Sequence, residues 1–536
     1  MLALSMAWSV LLHGKTVLSL ATSIPAAAFT TSHAWCFDHI RRMLVGELPF
    51  ATVTDRLGFS DSLGVAFIAW GPAVLVAPVG QLFGPVVAIN VASLLAPPLA
   101  ALATYAWARS RELPVTAAAL AGALFALAPP LTSALANGQL CKANVWAVPL
   151  CLASIDLAAR RPWLAPVSGL VLAVSLFSEP TFAVIASLLA VPYGLERVWS
   201  SPRRLTALIG VALAGASWLP ALFFAQGYYT SGIGSAFAPA GSVDSGHAAA
   251  TLAGSVPLLE LLLGRDYAVT TQLTTHVGYA GVVLLLGTLY AAAHHPLARV
   301  GAGLVAIGAV LALGEYAVDG GAHLRVSGKL IELPARWLAD AGFPFARSGQ
   351  YVRWLVPAWL GGALALGALH ALKPRAAWVL SALLALDGLR ATAGLWPLAS
   401  FEVVGARDFA TLSSVDPGLR TLDMPGLGGN FGSGLAQMRA ALHGHPSDAV
   451  VRAGHRWPNA PQAVRDVVTA IERHDSDRAR GLLQRERVGL LTWVPPATAE
   501  GPALDDLVAT LGEPSREGEV YYWRLSAGQP GRAVPR

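Results

Sequence analysis

GVAFIAWGPAVLVAPVGQLFG, residues 64–84, decides how this chain is threaded. The stretch carries no charged residue, yet it contains Pro72 and Pro78. Each proline removes a backbone donor and disfavours a straight helix. As a crossing helix, 64–84 would place every later basic loop outside the membrane. As a re-entrant or interfacial helix, it places them inside.

The loops decide between the two. A bilayer core of ~30 Å needs about 20 apolar residues per helix. Such spans fall near 3–24, 85–107, 115–136, 142–159, 163–177, 180–194, 205–225, 275–292, 300–317, 351–371 and 376–397, eleven in all. Gly14 and Lys15 interrupt the first. With the start of the chain inside, the inner loops are 108–114, 159–162, 195–204, 292–299 and 372–375. Together they hold ten Lys or Arg, among them Arg109, Arg111, Arg160, Arg161, Arg203, Arg204, Lys373 and Arg375. Basic residues in short loops orient a membrane protein, so 64–84 is read as juxtamembrane or re-entrant. External loops are then expected at 29–63, 226–274 and 318–350, and everything after residue 399 is expected outside.

Composition agrees with a two-part chain. Of 536 residues, 54% are hydrophobic and 13% charged, against roughly 25% charged in soluble domains. Of the 69 charged residues, 31 lie in the last 137. That excludes a single soluble globule, a disordered chain and a fibrous repeat. The expected fold is an all-α polytopic membrane domain, residues 1–399, followed by a soluble α/β domain, 400–536. In the tail, LRTLDMP, VGLLTWV and VYYWRL read as strands. Residues 461–473, with Val464, Val467, Val468 and Ile471 on one face, and 503–511 read as helices. The tail's glycines, Gly426 to Gly434, do not stand between a strand and a helix, as a phosphate-binding loop requires.

The net charge of +5 follows from the loop residues, so no nucleic-acid partner is expected. Cys36, Cys141 and Cys151 show neither CxxC nor Cys/His spacing, which gives no disulfide or thiolate metal framework. Met1 opens directly into apolar sequence, so no cleavable leader is expected.

Chemistry concentrates outside. FTTSHAWCFDHIRRMLVGELPFATVTDRLGFSDSL, residues 29–63, carries Asp38, Glu47, Asp55 and Asp61 with His33, His39, Arg41, Arg42 and Arg56. Residues 35–45 have helical spacing, with Trp35, Ile40, Met43 and Leu44 available to lie on lipid. One reading is an amphipathic interfacial helix. The other is an active site in which a carboxylate activates an acceptor and Arg or His steadies a phosphate. Arg41 and Arg42, at i+3 and i+4 from Asp38, share its face and would keep it ionised.

Ser178 and Glu179 lie in an external turn, where a carboxylate beside the bilayer is either functional or solvated. Lys142, in NGQLCKAN, reads as a phosphate ligand or as a side chain snorkelling to headgroups. Arg336, Arg347 and Arg353 read as anion ligands or headgroup anchors. Asp387 and Arg390 share a face of the last span. The 226–274 loop, rich in Gly and Tyr, is expected to act as a lid over the external face.

In chain order these features resemble the class C (GT-C-type) polytopic glycosyltransferases, in an uncharacterised bacterial branch. The resemblance is carried by HAWCFDHIRRMLVGELPF (33–50), LFGPVVAINVASLL (82–95), YAWARS (105–110), ALFALAPPLTSALANGQL (123–140), PFARSGQYVRWLVPAWL (344–360) and the external α/β tail. It implies a bacterial inner-membrane enzyme with a cytoplasmic start and a periplasmic tail. It implies transfer of a sugar from a polyprenyl-phosphate donor to a glycan, lipid or protein acceptor, by inverting displacement. It also implies an external-loop acid as base, or as ligand of a divalent metal ion. The relatives carry that acid earlier in the first loop; PAAAFTTSHAW (25–35) has none, so Asp38 takes the place by position. The relatives' Gly-His is Gly138-Gln139 here. From their chemistry and external position, His39, Arg41, Arg42, Lys142, Glu179, Arg347 and Arg353 are donor-site candidates. A non-catalytic scaffold of the same fold and a lipid-sugar flippase are the rivals.

A reporter fused after residue 400 is expected to be active only on the external side. Activity confined to the cytoplasm would require 64–84 to cross.

Overall fold

In the computed structural model the described residues are 1–25, 30–48, 53–54, 63–64, 70–230, 255–263, 268–270, 275–319, 322–341, 351–403, 412, 420–424, 462–493, 503–518 and 520–525. Helices fall within most of the apolar runs, but the first run is helical only over Leu2–His13 and Lys15–Leu18 before the strand Ser23–Pro25, and the run at 275–292 opens with the strand Thr275–Val277 before its helix starts at Val282. Among the described residues, five helices are long and apolar enough to cross a bilayer: Pro85–Ser110, Val115–Ala136, Pro180–Ser200, Arg204–Phe223 and Tyr351–Leu372. Five more are apolar but shorter: Leu2–His13, Trp70–Phe83, Pro162–Ser178, Val282–His294 and Pro296–Ala312. The chain is a multi-pass membrane protein. The 14-residue helix Trp70–Phe83 is about 21 Å long at 1.5 Å per residue, short of the hydrocarbon thickness. Gly14 ends the first helix with a φ of 49°.

The chain forms two compact units. One comprises 1–14, 67–72 and 92–398; the other comprises 15–66, 73–91 and 399–536.

In the first unit helices meet through small residues, which let backbones approach where apolar burial gives no net drive. A side chain on Gly361 would run into the carbonyl of Gly301 and would stand 2.8 Å from Leu304 Cβ. One on Gly308 would stand 2.6 Å from the Trp354 carbonyl. These contacts join Pro296–Ala312 to Leu355–Leu372. Serines add hydrogen bonds between helices: Trp218 Nε1 donates to Ser168 Oγ at 2.8 Å, and Ser154 and Ser168 hydroxyls are 2.9 Å apart.

Charge in this unit is gathered at helix ends. Asp156, fully buried, accepts from Tyr193 at 2.8 Å and Ser110 at 2.7 Å, and pairs with Arg197 Nε at 2.7 Å. Arg111 makes a bidentate pair with Glu196 at 2.8 and 2.9 Å. This network ties the ends of Pro85–Ser110, Ala147–Arg160 and Pro180–Ser200. Asp387 pairs with Arg390 at 3.5 Å, as the i, i+3 spacing predicts, and also accepts from Tyr279 at 2.6 Å.

In the second unit, strand Ser23–Pro25 pairs antiparallel with Ser400–Glu402. The tail forms a four-stranded sheet in the order 420–424, 488–493, 520–524, 515–517, with the first pair parallel and the rest antiparallel. Helices Gln462–Glu472, Ser476–Arg485 and Leu504–Leu511 cover it. Leu422, Val467, Ile471, Leu483, Leu491, Leu507 and Trp523 form the core. The three predicted strands and two predicted helices are present. Ser476–Arg485 was not predicted: its arginines and acids mask the buried Ala479 and Leu483.

The helix of the first loop runs Thr30–Leu44. Trp35, Ile40 and Met43 are buried inside the protein, and only Leu44 of the four residues expected on lipid is exposed. An amphipathic face does not say whether lipid or protein covers it. The tail glycines and most of the 226–274 loop lie outside the described residues, as do Asp55, Asp61 and Arg347.

Gly361→Val is expected to destabilise the protein by about 1–3 kcal/mol, the usual cost of overpacking. Gly303→Ala, which meets nothing within 4 Å, is the control. Thermal unfolding in detergent should separate the two.

Candidate functional site

Two sets of polar side chains, one in each unit, contain the described candidates. In the second unit, Asp38 lies on the Thr30–Leu44 helix with a side chain only 7% exposed. Arg41, one turn on, reaches back to it: its Nε and Nη2 both stand 2.9 Å from Asp38 Oδ1. Arg41 Nη1 is held in turn by Glu47 Oε1 at 3.2 Å and by Gln81 Oε1 of the Trp70–Phe83 helix. Arg42, expected beside Asp38, pairs instead with Glu47 Oε2 at 2.9 Å. Among the described residues, Asp38 Oδ2 carries no hydrogen bond.

Ala73, Val76, Ala77, Gly80, Pro85 and Ala88 line a narrow crevice with Phe37, Asp38 and Arg41. Burial raises the Asp38 carboxyl above its ordinary value, against the pull of Arg41 and Arg42. Two guanidinium groups were expected to hold it firmly ionised, but the loss of water around a carboxylate opposes them. Glu47 is lowered: its slight burial is outweighed by hydrogen bonds from both arginines. His39 is buried and stacks on Trp35 with ring centroids 4.7 Å apart, so its ring is placed by packing. Burial pushes the Cys36 thiol up to about 12, which removes it as a nucleophile.

A divalent metal is a poor fit at Asp38. The described charges nearest its carboxylate are those of Arg41, Arg42 and Glu47, and one oxygen is already taken by a guanidinium. No described group of three His, Cys, Asp or Glu could hold a metal ion.

In the first unit, Glu179 is 5% exposed at the start of Pro180–Ser200, where it caps the helix by accepting from Thr181 N at 3.3 Å. Glu179 Oε1 pairs with Arg353 Nη1 at 3.3 Å and with Lys142 Nζ at 3.5 Å. Arg353 also donates to Thr181 Oγ1. One carboxylate thus faces two cations. Among the described residues, Arg353 Nε, Gln139 Oε1 and Asn144 Nδ2 are buried without a hydrogen-bond partner. Buried polar atoms are usually satisfied, so each of these three is an exception to that rule. Glu179 is therefore no solvated turn residue, and Lys142 is paired rather than simply reaching for headgroups. Arg336, also singled out in the 318–350 loop, pairs with Glu315 at 3.1 Å and Asp340 at 2.8 Å.

Sequence reasoning missed Gln81, a single polar residue in an apolar run, and Thr181. It also missed the buried charge of Asp156, which lies inside a predicted span with no charged neighbour within three residues.

The fold is that of the class C membrane glycosyltransferases. The chain is similar to the mycobacterial arabinofuranosyltransferase AftD, with a TM-score of 0.53 and 18% identity over 98% of this chain and 40% of that one. It therefore spans about two fifths of that protein's length. It is also similar to the oligosaccharyltransferase AglB of Archaeoglobus fulgidus, solved with an inhibitory peptide and a dolichol-phosphate. There the TM-score is 0.50 and identity 11%, over 92% of this chain and 69% of that one. No protein-family model and no curated protein matches the sequence.

Glu179→Gln would leave Lys142 and Arg353 buried side by side with no counter-charge. Loss of one partner of a buried ionic set costs about 3–5 kcal/mol, so a clear drop in thermal stability is expected. An unchanged melting temperature would return Glu179 to the status of a solvated turn residue.

Proposed function

We propose that this chain is an integral membrane glycosyltransferase. It moves a sugar from a polyprenyl-phosphate donor to an acceptor at the external face of the membrane, with inversion. The observation that carries the reading is the state of Asp38: a buried carboxylate with one oxygen clasped by Arg41 and, among the described residues, no hydrogen bond on the other.

Asp38 Oδ2 takes the proton from the acceptor hydroxyl as that oxygen attacks the anomeric carbon. The bond to the donor phosphate breaks, and the polyprenyl phosphate leaves with the bonding pair. Arg41 keeps the carboxylate oriented. A base works best when its pKa approaches the working pH, and burial moves Asp38 in that direction. Lys142 and Arg353, two cations on one carboxylate, are kept as candidates for an anionic ligand of the first unit. His39, Arg42 and Arg347 remain candidates for an anionic group of the donor. No step depends on a metal ion.

The similarity of fold to an arabinofuranosyltransferase and to an oligosaccharyltransferase solved with dolichol-phosphate supports the substrate class. The setting assigned is a bacterial inner membrane, with residues 1–399 as membrane domain and 400–536 periplasmic. The pairing of Ser23–Pro25 with Ser400–Glu402 supports one side for the first loop and the tail, since hydrogen-bonded strands share a compartment.

Asp38→Asn should lower transfer at least ~100-fold, within the range of general-base contributions, when purified protein is assayed with labelled polyprenyl-phosphate sugars. Arg41 keeps Glu47 and Gln81, so the melting temperature should hold. Wild-type turnover with Asn at 38 would put the base elsewhere, with Asp55, Asp61 and Glu179 next to test. Transfer by no donor would favour the scaffold.

The pH profile is a separate check. The base must be ionised and its carboxyl is raised, so kcat/KM should fall on the acid side with a midpoint above the ordinary 3.8. A limb at or below that value would mean that burial does not govern Asp38.

A further inference from the structure

The segment that follows Pro296–Ala312 is built as a small rigid platform. Its backbone is closed by Leu324 N to Ala317 O at 2.8 Å, Ala317 N to Ile331 O at 3.0 Å and Leu333 N to Glu315 O at 2.8 Å. Glu315, fully buried, holds Arg336 at 3.1 Å and Tyr351 OH at 2.5 Å. From this frame projects a hairpin in which Arg325 pairs with Leu330 and Val326 with Lys329. Ser327 and Gly328 form its tip with φ of 51° and 81°, the two left-handed residues of a tight hairpin turn.

The composition of that tip is unusual for a water-exposed hairpin. Val326 is 63% exposed, Leu324 41% and, on the next helix, Trp337 65%. Arg325 and Lys329 are exposed on the same hairpin, Lys329 opposite Val326 and Arg325 on the other face, donating to the Gly328 carbonyl at 3.1 Å, and residues 324–331 contain no acid. Two features identify the occupant. The platform begins within three residues of the end of the apolar helix Pro296–Ala312, so it stands at the end of a segment of membrane-like composition. Its exposed groups combine basic side chains with aliphatic residues and an indole, the combination that suits the boundary between anionic headgroups and acyl chains.

We infer that the 324–330 hairpin and Trp337 dock onto the anionic headgroup layer of the bilayer and insert Val326 at its boundary. Arg325 and Lys329 meet lipid phosphates. Leu324 and Trp337 lie at the level of the glycerol backbones. The platform held by Glu315 fixes the depth. This is independent of any transferase activity.

The test uses the full chain in nanodiscs, with a fluorescent amino acid at position 326. Quenching by acyl-brominated lipid is compared with quenching by aqueous acrylamide. In phosphatidylglycerol the label should be quenched by the lipid and shielded from acrylamide. In phosphatidylcholine, or with Arg325→Gln and Lys329→Gln together, the ratio of lipid to acrylamide quenching should fall about 30-fold, the scale of two basic residues at an anionic surface. Free access of acrylamide in both lipids would overturn the inference and leave the patch to a soluble partner. Equal lipid quenching in both, unaffected by the double variant, would overturn the charge-selective docking. The lipid comparison needs no change at 325 or 329, so it holds even if the variant misfolds.

Discussion

An ionised side chain surrounded by low-dielectric material must find a counter-charge or stay near water, and the distribution of polar groups in this chain follows from that one cost. Along the helix Pro180–Ser200 the apolar middle separates Glu179 from Tyr193, Glu196 and Arg197. Eighteen residues from Glu179 to Arg197 correspond to about 27 Å at 1.5 Å per residue, close to the thickness of the hydrocarbon. At one end Glu179 meets Lys142 and Arg353; at the other Arg197 meets Asp156. The two ends are not equivalent. Around Asp156 two acids face two arginines, and Tyr193 and Ser110 fill further lone pairs. Around Glu179 one acid faces two cations, and three buried polar atoms have no partner among the described residues. The first arrangement is balanced in charge, and it too leaves Asp156 Oδ1 and Arg197 Nε without a hydrogen-bond partner among the described residues beyond their ion pair. The second sets one carboxylate between two cations.

Asp38 shows the same cost acting on a single group. Arg41 offsets the burial of one oxygen with two N–H groups, and Glu47 and Gln81 hold Arg41 in that pose. The carboxylate keeps a basic oxygen because its partner is committed to the other one. Burial then raises its pKa, where the arginines alone would have lowered it. A surface pair of the same residues would be worth well under 1 kcal/mol and would tune nothing.

Much of this was legible in the sequence. The apolar runs located the membrane helices, because period and length follow directly from hydrocarbon thickness and helix rise. The strands of the tail were readable from β-branched and aromatic runs, and Asp387 with Arg390 from helical spacing. Asp38 and Arg41 were readable as a pair for the same reason. Arg42 was not: i+4 spacing permits a contact with Asp38, but Glu47 competes for it, and spacing cannot rank competitors.

The sequence by itself determined where helices form, which loops carry charge and which residue types could do chemistry, since these depend on local composition and period. Only the tertiary structure decided which face of the Thr30–Leu44 helix is covered by protein, that Gln81 supports Arg41, and that Lys142, Glu179 and Arg353 converge from three distant parts of the chain. The reason is physical. Helix period fixes contacts within a few residues, whereas contacts across 37 or 174 positions depend on how small residues such as Gly301 and Gly361 let helices approach, and on which buried charges must then be neutralised.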